Sequence, residues 1–139
     1  MKVYLDTSVY DAAWLNEARL GIDVSDEFGK FKASVLSCNH SIVVSRIIEN
    51  EILRKYPELS ESWQNFLMDC KNKLIFVKVM AEHKACSKAL ESKYSNLHFP
   101  DSLHLAVAMS FSDAIITYDF ALEKVAGKEF AVKKLVDMF

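Results

Sequence analysis

Glycine and proline are scarce in this chain, with three of one and two of the other in 139 residues. So few breakers exclude collagenous and low-complexity architectures and leave little material for long linkers, so the chain reads as a single domain over residues 1–139. Cysteine is scarce as well. Cys38, Cys70 and Cys86 are odd in number and contain no C-x-x-C pair, which fits neither a disulfide framework nor a zinc site. They are expected to be reduced core thiols of a cytoplasmic protein. No stretch approaches the roughly 18 to 20 apolar residues of a membrane span, and "MKVYLDTSVYD" reaches Asp6 too early for a signal-peptide core. The expectation is a soluble protein with no membrane partner. An excess of one charge is also missing: 17 basic residues face 19 acidic ones for a net charge of −2. A protein that coats nucleic acid over its whole surface is thereby excluded, and any such contact must be local. Neither G-x-G-x-x-G nor G-x-x-x-x-G-K-[ST] occurs, so there is no phosphate cradle of the nucleotide-binding kind.

What the chain does have is apolar material, 51% of its residues, arranged in short runs. "KVYL" (Lys2 to Leu5), "SIVVS" (Ser41 to Ser45), "LIFVKV" (Leu74 to Val79) and "AIIT" (Ala114 to Thr117) read as strands, with a weaker one at "FAVKKL" (Phe130 to Leu135). Helical patterns separate them. In "SDEFGKFKASVLSC", opened by a capping serine, Phe28, Phe31, Val35 and Cys38 recur at three and four; "SESWQNFLMDC" puts Trp63, Phe66, Leu67 and Cys70 on one face. Strands alternating with helices imply βαβ units, hence an α/β fold: a three-layer α/β/α sandwich around a mostly parallel, buried sheet.

In such sheets the working site lies beyond the carboxyl ends of the strands. "KVYL" ends at Asp6, and "AIIT" is followed, after Tyr118, by Asp119. "SIVVS" runs into a helix carrying Glu49 and Glu51, and the almost wholly apolar "SLHLAVAMSF" opens with Asp101. If these ends face one way, Asp6, one of the two glutamates, Asp101 and Asp119 converge. Like charges so close raise one another's pKa unless a cation neutralises them. Oxygen-only ligands suit hard cations, so Mg²⁺ or Mn²⁺ is the expected cofactor, and hydrolytic phosphoryl chemistry the expected reaction.

"YLDTSV", "VSRIIENEIL", "DSLHLAVA" and "AIITYD", in this order and spacing over nearly the whole chain, resemble the four signature segments of the PIN domain. That resemblance implies a metal-dependent nuclease on a parallel sheet flanked by helices, like the ribonuclease toxins of the VapC group among its prokaryotic members. It implies Asp6, Glu51, Asp101 and Asp119 as catalytic and metal-binding residues, with Ser8 supporting the first. Thr117 is expected to share that supporting role through hydrogen bonds. The resemblance further implies an RNA substrate, a homodimer, and an antitoxin that inserts a segment across the active-site groove. Some relatives carry another acid soon after the last aspartate; here the next is Glu123.

Each residue also has a plainer role open to it. Asp6 and Asp119 are acceptable N-caps, Glu51 can pair with Lys55 at i, i+4, and Asp101 favours the positive end of its helix. Glu49 rivals Glu51, because the helical wheel admits either. Asp113 is assigned to a turn. His104, three residues after Asp101, reads as a satisfied core histidine before it reads as a general base. Trp14 and Trp63 suit the core better than a stacking platform. Arg46, Arg54 and Lys55 follow the second strand as weak candidates for phosphate contact. The competing function is a catalytically weak or inactive PIN-like module that binds nucleic acid or a protein partner.

Overall fold

A computed structural model describes residues 1–19 and 21–139. Strand β1 (Lys2–Leu5) leads into helix α1 (Thr7–Trp14). A short antiparallel ribbon of β2 (Ala18–Arg19) and β3 (Ile22–Asp23) follows, with Gly21 at φ 76°, a conformation glycine adopts without steric cost. The order continues with α2 (Val24–Ser37), β4 (Ser41–Ser45), α3 (Arg46–Lys55), α4 (Ser60–Asp69), β5 (Leu74–Val77), α5 (Ala81–Lys93), α6 (Asp101–Phe111), β6 (Ala114–Ile116) and α7 (Phe120–Glu129). Short 3₁₀ turns at Pro57–Leu59, Lys71–Lys73 and Leu135–Met138 complete it.

The main sheet has the order β5-β4-β1-β6, with every pairing parallel. β1 lies inside it, Val3 facing Ile42 on one side and Ala114 on the other. The chain moves outward from β1 through β4 to β5, then crosses back over the sheet to β6. Right-handed crossovers in opposite directions place their helices on opposite faces. The packing agrees: α1 contacts α2 and α3, whereas α6 packs on α5, α7 and strands β1 and β4. This is the three-layer α/β/α arrangement expected from the sequence.

Residues Val3 to Leu5, Ile42 to Val44 and Ala114 to Ile116 are buried, as continuous apolar runs covered on both faces must be. Helix α6 is buried from Ser102 through Ala108, which explains why its sequence is apolar all round. Beneath α1, the rings of Tyr10, Trp14, Phe28, Trp63 and Phe66 form one aromatic cluster, with Tyr10 set edge-on to Trp63 and Phe66. Trp14 and Trp63 are packing residues.

Several expectations need correction. The strand over Phe130–Leu135 shrinks to one parallel bridge between Ile115 and Val132, because the segment turns at Leu135 to dock its end on α2, where Ser34 donates to the Met138 carbonyl at 2.7 Å. Helix α2 is capped by Asp23, which accepts from the Asp26 amide at 3.1 Å, and not by Ser25. Cys38 is exposed, since α2 stops at Ser37 and the backbone there is extended; Cys86 is half-buried, and Cys70 alone of the three is in the core. The first two strands keep their expected bounds; β5 and β6 end earlier, at Val77 and Ile116. No described helix is long and apolar enough to cross a membrane.

Candidate active site

The carboxyl ends of β1, β4 and β6 open on one edge of the sheet, and the side chains that follow them meet there. Asp6 follows β1 directly, its amide donating to the Ile116 carbonyl at 2.9 Å, which ties the first acid to the end of β6. Thr117 continues β6 and turns its hydroxyl onto Asp6 Oδ2 at 2.9 Å. Ser8 donates to the same oxygen at 2.8 Å. These two hydroxyls are held in turn by the backbone, Ser8 accepting from the Tyr118 amide and Thr117 from the Asp119 amide, each at 3.0 Å. The expected supporting residues therefore form a small closed lattice around Asp6. Asp6 occupies the N-cap position of α1 without making a side-chain cap bond.

Glu51 arrives from the second turn of α3 and accepts from His104 Nε2. His104 is fully buried and bonds through Nδ1 to Tyr4 Oη at 2.6 Å, which also meets Ser45 Oγ at 2.9 Å. A core histidine thus aims the glutamate. Burial alone would lower the His104 pKa, but the Glu51 hydrogen bond and the charges of Asp6, Glu51 and Asp101 outweigh it and raise it. Asp6 Oδ1 lies 3.8 Å from the same ring nitrogen. The rival Glu49 points elsewhere, accepting from Trp63 Nε1 at 2.7 Å.

Asp101 begins α6, and Asp119 begins α7, where its Oδ1 accepts from the Leu122 amide at 2.9 Å. Asp119 is a genuine helix cap, so for this residue the plain role and the site role coincide. Burial, followed by the charges of Asp6 and Asp119, pushes the Asp101 carboxyl from its ordinary 3.8 up to about 7. Asp6, Glu51, Asp101 and Asp119 all line one open pocket of about 350 Å³.

That pocket also contains residues to which the sequence drew no attention. Thr7, Asp11, Glu17, Tyr56 and Phe120 line it. Asp11 is 6% exposed, its Oδ1 has no hydrogen-bond partner among the described residues, and the same holds for Thr7 Oγ1. Burial raises the Asp11 pKa to about 6, with Lys55 opposing and Glu17, Asp6 and Glu51 adding to the shift. The signal was present in "SVYDAAW", a single charge inside an otherwise apolar buried helix, four residues after Thr7 and therefore on its face.

Of the weak phosphate candidates, Lys55 lines the pocket, Arg46 lies in a separate groove with Glu49, and Arg54 lines neither. Asp113 accepts from the Lys2 amide at 2.8 Å at the amino end of β1, far from the site, as a turn residue should.

The donor chemistry fits a hard divalent cation: six carboxylates and two orphaned oxygens share the pocket with one lysine. Among the described residues, no three His, Cys, Asp or Glu side chains are gathered so closely as to cage an ion by themselves. Mg²⁺ does not require such a cage, since it keeps several waters and is held by one or two carboxylates plus substrate oxygens.

The fold is PIN-like. Over 96% of this chain and 98% of the other, with a TM-score of 0.64 and 13% identity, it is similar to a chain in the crystal structure of VapBC2 from Rickettsia felis bound to a DNA fragment from their promoter. At that identity the likeness concerns the fold. No family model matches the sequence, and no curated protein matches it.

Proposed function

We propose that this protein is a metal-dependent nuclease, an endoribonuclease that hydrolyses RNA phosphodiester bonds. The observation that carries the reading is the meeting of Asp6, Glu51, Asp101 and Asp119, from four separate segments, in one pocket at the carboxyl edge of a parallel sheet. These are the four acids to which the PIN resemblance assigns the chemistry. Bound there, Mg²⁺ or Mn²⁺ would supply a water of lowered pKa and a counter-charge for the phosphoryl oxygens. The protein's own part is positioning. Ser8 and Thr117 occupy one oxygen of Asp6 and leave the other facing the pocket, His104 fixes Glu51, and Asp101 and Asp119 bound the site from α6 and α7. Lys55, which lines the same pocket, offers a point charge to a substrate phosphate.

Following the PIN resemblance, and consistent with the fold likeness to a VapBC2 chain, the proposal includes a homodimeric toxin controlled by an antitoxin and acting in the cytoplasm. A second reading, a module that binds without cutting, draws on the openness of the acid cluster and on the engagement of Glu51 by His104.

The deciding experiment is cleavage of mixed structured and single-stranded RNAs, with single-stranded DNA alongside, by wild type, Asp6→Asn and Asp101→Asn in Mn²⁺, Mg²⁺ and EDTA. Metal-dependent cutting by wild type that disappears in both variants is the expected result. No cutting, together with no heat of Mn²⁺ binding in calorimetry, would select the non-catalytic module.

A further inference from the structure

Beside the acidic pocket, and sharing Phe120 with it, lies a second depression of about 310 Å³ between α7 and the end of α5. Its chemistry is the reverse of its neighbour's. Phe120, Lys124 and Lys128 recur every four residues along α7 and so form one stripe, each about 6 Å further along the axis. Phe120 is 80% exposed, immediately after Asp119 at the pocket's mouth. A solvated phenyl ring has no folding role there. Tyr94 forms the opposite wall, with Lys93 Nζ 5.4 Å and Lys128 Nζ 5.9 Å from its ring centroid. Glu129, one residue beyond Lys128, is already engaged by Lys93 at 2.7 Å and by the Tyr94 hydroxyl. Lys124 and Lys128 are paired with no carboxylate among the described residues and remain available to an anion.

We propose that this stripe is the track on which single-stranded nucleic acid lies as it enters or leaves the acidic pocket, one base stacked on Phe120 and the following phosphates met by Lys124 and Lys128. The inference rests on the reading of the acidic pocket as a phosphodiester site. Charge complementarity and continuity with that pocket select the occupant: in a chain of net charge −2, two lysines one helical turn apart, neither paired with a carboxylate among the described residues, lie beside the depression that shares Phe120 with the acids. The ring supplies what lysines cannot, a face for any base, so the track binds without reading sequence. The ring also requires an unpaired strand, because bases in a duplex present no face to it.

The test is fluorescence anisotropy of a labelled single-stranded RNA, the matching single-stranded DNA and the duplex, with wild-type protein in EDTA across a salt series. Lys124→Gln/Lys128→Gln is expected to weaken both single strands about tenfold and to lower the slope of log Kd against log salt by about 1.4, roughly 0.7 for each lost phosphate contact. Phe120→Ala should cost about fivefold or more on the single strands and nothing on the duplex. Lys30→Gln/Lys71→Gln removes two lysines that line neither depression, from α2 and the Lys71–Lys73 turn, and should match wild type, with melting curves confirming that all variants fold. If wild type does not bind, or if the α7 variants bind as wild type does, the track is overturned; in the second case Mn²⁺-dependent cleavage would still stand. If the α7 variants lose binding while wild type cleaves nothing in any metal and gives no heat of Mn²⁺ binding, the track is supported and the catalytic reading falls.

Discussion

The two oxygens of Asp6 have different partners. Oδ2 receives both the Ser8 and Thr117 hydroxyls, while Oδ1 lies 3.8 Å from His104 at the pocket. On the proposed reading, in which Asp6 helps to hold the metal, removing the hydroxyls by Ser8→Ala with Thr117→Val should lower kcat about 10- to 100-fold, and steady-state kinetics in Mn²⁺ would show it. Asp11 allows a test independent of activity. Its folded pKa of about 6 exceeds the ordinary 3.8, so the folded state holds the proton more tightly. The stability cost of this carboxyl is therefore absent below pH about 4, grows between 4 and 6, and is complete above 6. Asp11→Asn should accordingly stabilise the protein by about 1–2 kcal/mol at pH 8 and leave it unchanged at pH 3.5, as read from urea midpoints at both values.

At the scale of elements, helix α6 is the pivot between core and site. It presents Asp101 at its first residue and His104 one turn later, and its body is surrounded by the sheet, α5 and α7. Leu105→Ala, in the buried centre, should cost about 2–5 kcal/mol, measured by denaturant unfolding, because packing on every side prevents collapse into the gap. Helices and strands with strong periodicity were legible in the sequence: β1 and β4 have their expected bounds, and α4 begins and ends within a residue of "SESWQNFLMDC". The weak last strand was not, because the apolar alternation in "FAVKKL" serves docking onto β6 and α2 and not a ladder. Asp23 was missed as a cap because Ser25 and Asp26 offer equally good local chemistry; the helix starts two residues earlier, directly after the short β2–β3 ribbon in which Asp23 pairs with Ala18. The same limit applies to Glu49 and Glu51, one turn-fraction apart on α3. A Trp63 indole from α4 and a His104 imidazole from α6 separate them, and neither contact is visible within the helix itself.

At the scale of the molecule, the sheet order explains why the acids meet, with β1 between β4 and β6 and the chain reversing its direction of travel around it. On the proposed metal-dependent reading, a chain that gathers carboxylates in this way should be stabilised by a bound divalent cation. Mn²⁺ at 100 times its dissociation constant should add about 2.7 kcal/mol and raise the melting temperature by several degrees, an effect absent in Asp101→Asn. Scanning calorimetry with and without EDTA would check it.

Asp6 is held by a hydroxyl and a carbonyl that lie more than 100 positions downstream, at Thr117 and Ile116. A growing polypeptide halted between α6 and β6 has Asp6, Glu51 and Asp101 but neither the strand that seats the first nor Asp119. During synthesis, then, the acidic pocket cannot be complete until the last strand of the sheet has cleared the exit tunnel and closed on β1, and on the proposed nuclease reading the hazard to nearby RNA begins only there.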